Sequence, residues 1–413
     1  MDSIKSIAII GTGISGLTAA HLLHPKYDIT LFESNDYVGG HTNTIDVERE
    51  NKSFSIDTGF IVFNEKTYPN FIKLLNALNV EKQQSNMSFS FSSNRLGLEY
   101  SGDTINSLFA QRVNLISPKF YKLLNDIHHF NKKAKLFIQT DNNMTLDEYS
   151  KKQKYSEDLH ECYINPLASA IWSTPGNKVG NMPAKFILDF YANHGLLDLK
   201  NRPMWYVIKN GSKEYVKKII KPFSNKILLN DEVHNIKRTD SSVTITTRNG
   251  VASFDAVVMA CHSDQALNLL ENPSDLEQEI LSSIQYTKNT AILHTDINAL
   301  PKNKRAWASW NYIQNCKNQA SLTYYMNKLQ SIKSSEDFCV SINNTDIDSR
   351  KIIKTIQYAH PLYDQKSVNA KKSHHLINNK NRTFYVGAYW ENGFHEGGVV
   401  SSLTALASLG AVL

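Results

Sequence analysis

The segment Ile7–His24, IAIIGTGISGLTAAHLLH, constrains this chain more tightly than any other. Its apolar start predicts a buried strand, Gly11-x-Gly13-x-x-Gly16 a tight turn, and Leu17, Ala20 and Leu23 the inner face of a helix. Gly11 serves the turn, Gly13 lets backbone touch a pyrophosphate, and Gly16 lets helix and strand pack closely. Ile14 and Ser15, between these glycines, join them as binding candidates. A second strand, 28-DITLFES-34, ends in Glu33, placed to accept hydrogen bonds from an adenosine ribose. Strand, glycines, helix, strand and acid in this order predict an adenine-dinucleotide site, so the fold class is α/β with a Rossmann-like domain.

Two later stretches favour FAD over a nicotinamide cofactor. The stretch 38-VGGHTNT-44 adds Gly39 and Gly40 for another close backbone approach, with His41 and Thr42 able to donate to phosphate or ribityl oxygens. In 56-IDTGFIVFNEKTYPN-70, Gly59 and Phe60 fall where backbone can lie flat against a ring, although a plain buried strand explains this stretch equally. The chain closes on 384-FYVGAYWENGFHEGGVVSSLTALASLG-410, read as a strand, a glycine-broken loop and a small-residue helix. The start of such a helix offers unpaired N–H groups to an anion or an electron-rich ring edge.

With GTGISG, Glu33, VGGHTNT, DTGFIVFNEKTYP and GAYWENGFHEGGVVSS, the chain resembles the FAD-dependent amine-oxidase and phytoene-desaturase superfamily. Further blocks, INPLASAIWSTP, WYVIKNGSKEYV, ACHSDQALNLL, AWASWNY, TYYMNKLQ and YAHPLYD, are similar to a bacterial NAD/FAD-binding, amine-oxidase-like branch associated with cyclopropane-fatty-acid-synthase-type methyltransferases. No cysteine lies in or next to the closing motif, so the FAD is expected to be non-covalent; the resemblance implies a discontinuous FAD domain at 1–75, 201–269 and 381–413. An α+β substrate domain with an antiparallel sheet would occupy 76–200 and 270–380. It implies that Val233 meets adenine through its backbone, that Gly387, Glu396, Gly398 and Val399 serve the flavin, and that Tyr389, Trp390 and Phe394 line the substrate pocket. Amine oxidases place a lysine near flavin N5; here Asn289 or Thr290 fits that position, with Lys288 one step away. His395, His360, Tyr358 and Tyr363 remain as acid–base candidates. The expected function is dehydrogenation of a fatty acyl chain, methylated or phospholipid-bound, by hydride transfer to flavin. Its rivals are an amine oxidase using O2 and a non-catalytic flavoprotein partner of a lipid methyltransferase.

Composition narrows the alternatives. A chain of 413 residues, 41% hydrophobic, can support more than one core, and its net charge of +6 is spread without a long single-sign block or a nucleic-acid motif. Cys162, Cys261, Cys316 and Cys339 lack paired metal-site spacing, and His128 and His129 have no matching partners, so no metal is expected. With neither a leader-like segment nor a membrane-length apolar run, the expected location is cytoplasmic. The segment 118–138 predicts an amphipathic helix whose other face carries Lys119, Lys122, Lys132, Lys133 and Lys135. It reads either as a peripheral contact at the inner face of a membrane or as a solvated helix over the core.

Overall fold

The computed structural model describes residues 4–49, 51–140, 142–174, 176–198, 200, 202–315 and 320–413, so Cys316 lies outside the described residues. The Ile7–His24 reading holds in detail. Ser6–Ile10 is a strand, Gly13 starts the first helix at Ile14–Leu23, and Asp28–Phe32 pairs in parallel with the first strand, Ile7 opposite Ile29. These strands belong to a five-stranded parallel sheet in the order 227–228, 28–32, 6–10, 256–259, 383–385. Strand 256–259 is AVVM, buried throughout, as a central parallel strand covered on both faces should be.

The last helix, His395–Ala405, completes this layer by packing on the first. Both carry small residues at the contact. The Ser402 hydroxyl donates to the Ser15 carbonyl at 2.9 Å, and a β-carbon on Gly398 would stand 2.6 Å from Ile14 Cγ2 and 2.9 Å from Ser15 Oγ. Backbones approach this closely only where a side chain is missing.

A second, seven-stranded sheet runs in the order 352–362, 285–294, 339–342, 320–325, 310–314, 89–93, 98–101. It differs from the expected antiparallel sheet at one pair: Trp310–Gln314 runs parallel to Phe89–Ser93. The two strands come from segments far apart in the chain, so no hairpin dictates their direction. The alternating strands of 226–260 form a separate antiparallel meander, Val233–Arg238, Val243–Thr247 and Gly250–Phe254.

Helices cover the large sheet. The helix expected at 118–138 spans Pro118–Phe137; Ser117 caps it by accepting from the Phe120 N–H, and Phe120, Leu123, Phe130, Ala134 and Phe137 are buried. Ala184–Asn193 packs beside it, around Phe130, Tyr149, Leu188 and Tyr191. Asp57, fully buried, ties the layers together. It accepts from the Ser212 N–H at 2.8 Å, the Thr44 hydroxyl at 2.6 Å and the Gln330 amide at 2.9 Å. Burial still pushes this carboxyl up to about 6.

Gly398→Ala should force the two terminal helices apart. The expected loss is about 1–3 kcal/mol of stability, read as a lower urea midpoint at unchanged slope.

Candidate active site

The two glycine-rich segments meet. Gly40, at φ 59°, brings its backbone against Gly13, where an added β-carbon would lie 3.1 Å from the Gly13 Cα. Gly39 donates to the Thr12 hydroxyl at 3.4 Å. A β-carbon on Gly11 would press on the Ala260 carbonyl at 3.0 Å, and one on Gly16 would strike the Gly11 carbonyl. Gly13 differs: a β-carbon there meets nothing within 4 Å. Open space over Gly13, at the start of a helix without a side-chain cap, fits a pyrophosphate.

Glu33 sits beside this turn, 5% exposed. One carboxylate oxygen accepts from the Thr12 N–H at 3.0 Å and the Thr12 hydroxyl at 2.5 Å; the other accepts from the Asn35 N–H at 3.0 Å and the Asn35 amide at 2.7 Å. A ribose reaches Glu33 only if one of these side-chain donors gives way. Val233 lies close by, since the N–H groups of Asn230 and Asp231 donate to the carbonyls of Asn35 and Glu33.

Beyond the glycines, histidines and hydroxyls gather in two groups. His395, 6% exposed, stacks on Phe60 with centroids 3.5 Å apart. Its Nε2 lies 2.9 Å from the Thr42 hydroxyl and 3.2 Å from that of Tyr215, and those hydroxyls are 2.6 Å apart. Burial holds its pKa well below the usual value. His41 is in the other group, stacked on Tyr358 at 4.7 Å and 5.2 Å from His360, with His262 at 6.3 Å. Gly59 closes this group, since a β-carbon there would strike the His41 carbonyl and lie 3.2 Å from the Tyr358 hydroxyl. That hydroxyl pairs with Thr58 at 3.0 Å, whereas the buried His41 Nε2 has no hydrogen-bond partner among the described residues. Burial lowers His41 and His262 to about 4, and burial plus His41 lowers His360 to about 3.

The protonation of His360 follows from backbone. The Thr290 N–H can only donate, and it does so to Asn343 Oδ1 at 2.9 Å; the Asn343 amide then donates to Asn289 Oδ1 at 2.7 Å. The Asn289 amide nitrogen therefore donates to His360 Nδ1 at 2.7 Å. Nδ1 is an acceptor, the proton sits on Nε2, and the ring is a neutral donor. Asn289 is fully buried while Lys288 is exposed, as alternation along the strand requires.

Several expected site residues are engaged elsewhere. Glu396 caps the helix Pro69–Ala77, accepting from the N–H groups of Asn70 at 3.1 Å and Phe71 at 2.9 Å and from the Asn70 amide at 2.7 Å. That helix has no cap of its own, so the carboxylate answers its positive end. Gly387 donates to Ser401 at 3.0 Å and faces the Tyr389 ring. Tyr389 and Trp390 pack with Tyr286 and His374, away from Phe394. Tyr363 lies against Phe186 at 4.7 Å, its buried hydroxyl without a hydrogen-bond partner among the described residues. Phe394 instead packs with Phe190 at 5.0 Å, Trp172 at 6.5 Å and His194 at 6.4 Å, beside a cavity of about 110 Å³ that Tyr68, Glu391 and Val400 also line. Gly398 and Val399 are buried against the first helix. Tyr215, His262, Phe190 and the Asn289–Asn343 relay are additions to the expected set. The Phe190 spacing reads as an ordinary core helix, and no local signal joins Asn289 to Asn343.

Residues 14–327 match the family described as flavin containing amine oxidoreductase, about three-quarters of the chain. The chain belongs to that family. FAD is accordingly its cofactor, and the open glycine turn, the uncapped helix start and the unpartnered His41 nitrogen all fit it. The L-amino-acid oxidase of Siganus canaliculatus is 21% identical over 315 residues, covering 71% of this chain but only 57% of that protein. Among solved structures, cyclohexylamine oxidase from Brevibacterium oxydans IH-35A superposes with a TM-score of 0.70 at 14% identity, covering 98% of this chain and 99% of that one. The CLA-producing fatty acid isomerase from P. acnes gives 0.67 at 15% identity, with 97% and 98% covered. At such identities the likeness is one of fold.

Two outcomes follow for this flavoprotein. Gly13→Ala should leave the thermal stability of the flavin-free protein unchanged, because the new methyl touches no protein atom, yet reduce FAD content measured by absorbance against protein mass. By nitrogen NMR of histidine-labelled protein, His360 should be the neutral Nε2–H form from pH 5 to 9. Asn289→Asp replaces a donor by a carboxylate, which should move the proton to Nδ1 and raise the pKa by about 2 units.

Proposed function

We propose that this flavoprotein dehydrogenates an acyl chain, with FAD held non-covalently. The observation that carries the reading is the alternation at Lys288 and Asn289: the lysine faces outward and a neutral amide faces the histidines. Phe394, Phe190 and Trp172 supply an apolar wall in support, and the fatty acid isomerase shares the fold. Cys261, the thiol beside the glycine turn, is pushed up to about 12 by burial and is a poor nucleophile, which favours non-covalent cofactor. We assign 1–75, 201–269 and 381–413 to the cofactor domain and 76–200 and 270–380 to the substrate domain.

FAD, when bound, supplies the two-electron acceptor for a hydride leaving one carbon. The proton from the neighbouring carbon goes to His395, whose ring is neutral at pH 7, and a carbon–carbon double bond forms between the two. The Thr42 and Tyr215 hydroxyls can donate to or accept from Nε2, so the ring is free to change its protonation. His360 has no such freedom and acts as a fixed donor to negative charge developing in the site. The aromatic wall around Phe394 positions the chain and excludes water. A methylated chain, the product of a cyclopropane-fatty-acid-synthase-type methyltransferase, falls in the same substrate class, and such an enzyme is the partner we propose. The family match supports amine oxidation as a second reading.

Anaerobic stopped-flow separates these readings. An acyl-lipid substrate should bleach the flavin, and His395→Gln should slow bleaching by about 10²–10⁴-fold with FAD retained. Bleaching by amines alone, with hydrogen peroxide released in air, would establish the amine reading. No bleaching by either would point to a non-catalytic partner.

A further inference from the structure

We propose that the turn Arg112–Ile116 and the first two turns of the following helix dock on an anionic lipid bilayer. Large apolar side chains are out in solvent here: Ile105 is 79% exposed, Val113 67% and Ile116 83%. Leu115 and Tyr121 are also exposed. They form one built surface. The Arg112 guanidinium donates to the carbonyls of Asn106 and Phe109, which fixes the turn to the Ile105–Leu108 helix. The Tyr121 hydroxyl donates to the Leu115 carbonyl at 3.1 Å, which fixes it to Pro118–Phe137. Asn114, pointing inward, is buried, and its neighbours on either side are therefore pushed out.

The charge around this ridge selects its partner. From residue 105 to 122, the part that makes the contact, the chain carries Arg112, Lys119 and Lys122 and no acid. Lys119 is shared with Asp158 at 3.2 Å and Lys135 with Asp198, while Lys122 has no ion-pair partner among the described residues. Apolar side chains rimmed by cations match an interface whose interior is hydrocarbon and whose headgroups are negative. A protein partner of ordinary composition offers no reason for both features together. The helix is amphipathic toward the core, so it does not itself lie flat in the bilayer: its inner face is already covered by Phe130, Ala134 and Phe137. Contact is made by the turn and the N-terminal end.

The inference does not require the acyl reading, because docking is measured without turnover. Flavin-loaded full-length protein is sedimented with vesicles of phosphatidylcholine alone and of phosphatidylcholine mixed with phosphatidylglycerol. Binding should require the anionic lipid and weaken at high salt. Val113→Asp with Ile116→Asp should reduce it by about tenfold or more, and Lys119→Glu with Lys122→Glu by a similar factor. FAD content should not change in either variant, and the thermal midpoint should not change in the Asp variant, since Val113 and Ile116 are exposed; the Lys variant loses only the surface pair of Lys119 with Asp158. No binding to anionic vesicles, or wild-type binding by the Asp variant, would overturn the proposal. A concentration-dependent dimer in lipid-free solution that Ile116→Asp dissolves would also overturn it, assigning the face to a second copy of the chain.

Discussion

The architecture depends on the contact between the first helix and the last. Parallel strands 6–10, 256–259 and 383–385 lie side by side although they come from the beginning, middle and end of the chain, and no local signal can bring them together. The chain instead invests small residues at the junction. Gly398 rests on Ile14 and Ser15, Ser402 bonds the Ser15 carbonyl, and Gly16 rests on Gly11. With the helices this close, the uncapped starts at Gly13 and Phe394 stand in one region. Two partial positive ends meet there without a side-chain cap, and the one acid in either first turn, Glu396, gives its hydrogen bonds to the start of Pro69–Ala77.

The surrounding histidines answer a different demand. Burial keeps His41, His262, His360 and His395 neutral, so the site gains no cations from them at neutral pH. What distinguishes them is hydrogen bonding. His395 faces two hydroxyls, each able to reverse its role, whereas His360 faces an amide whose orientation traces back to a backbone N–H. One ring can exchange a proton and the other can only offer one. The same residue type thus takes two hydrogen-bonding states through its neighbours.

Much of the fold was legible because local pattern and tertiary demand agree at Ile7–Glu33: Gly11 and Gly16 have a steric reason within the protein, Gly13 leaves open space, and the strand after the helix pairs in register with the first. The meander at 233–254 was legible from its strand-like residues and its Asn249-Gly250 turn, although buried and less buried positions alternate only in Val243–Thr247: Val233–Arg238 is bulged and Gly250–Phe254 is exposed up to Phe254. The contacts of the closing motif were not legible. The family resemblance implies that Glu396 serves the flavin; in the structure its carboxylate accepts from a helix start at Asn70 and Phe71, far away in the chain, a contact no local pattern announces. Tyr389 and Trp390 stand five or fewer residues from Phe394, yet a turn sends them to the opposite side of the sheet. The parallel pairing of 310–314 with 89–93 was illegible, since strand direction across so long a separation leaves no trace in composition.

The central claim is that the two helix starts at Gly13 and Phe394 share one flavin. A crystal structure of the FAD-loaded protein tests it most directly. The account predicts the pyrophosphate over Gly13 and the isoalloxazine ring at the start of His395–Ala405, facing the His41, His360 and His395 side chains. A flavin bound with its ring away from those histidines, or a pyrophosphate away from Gly13, would contradict it.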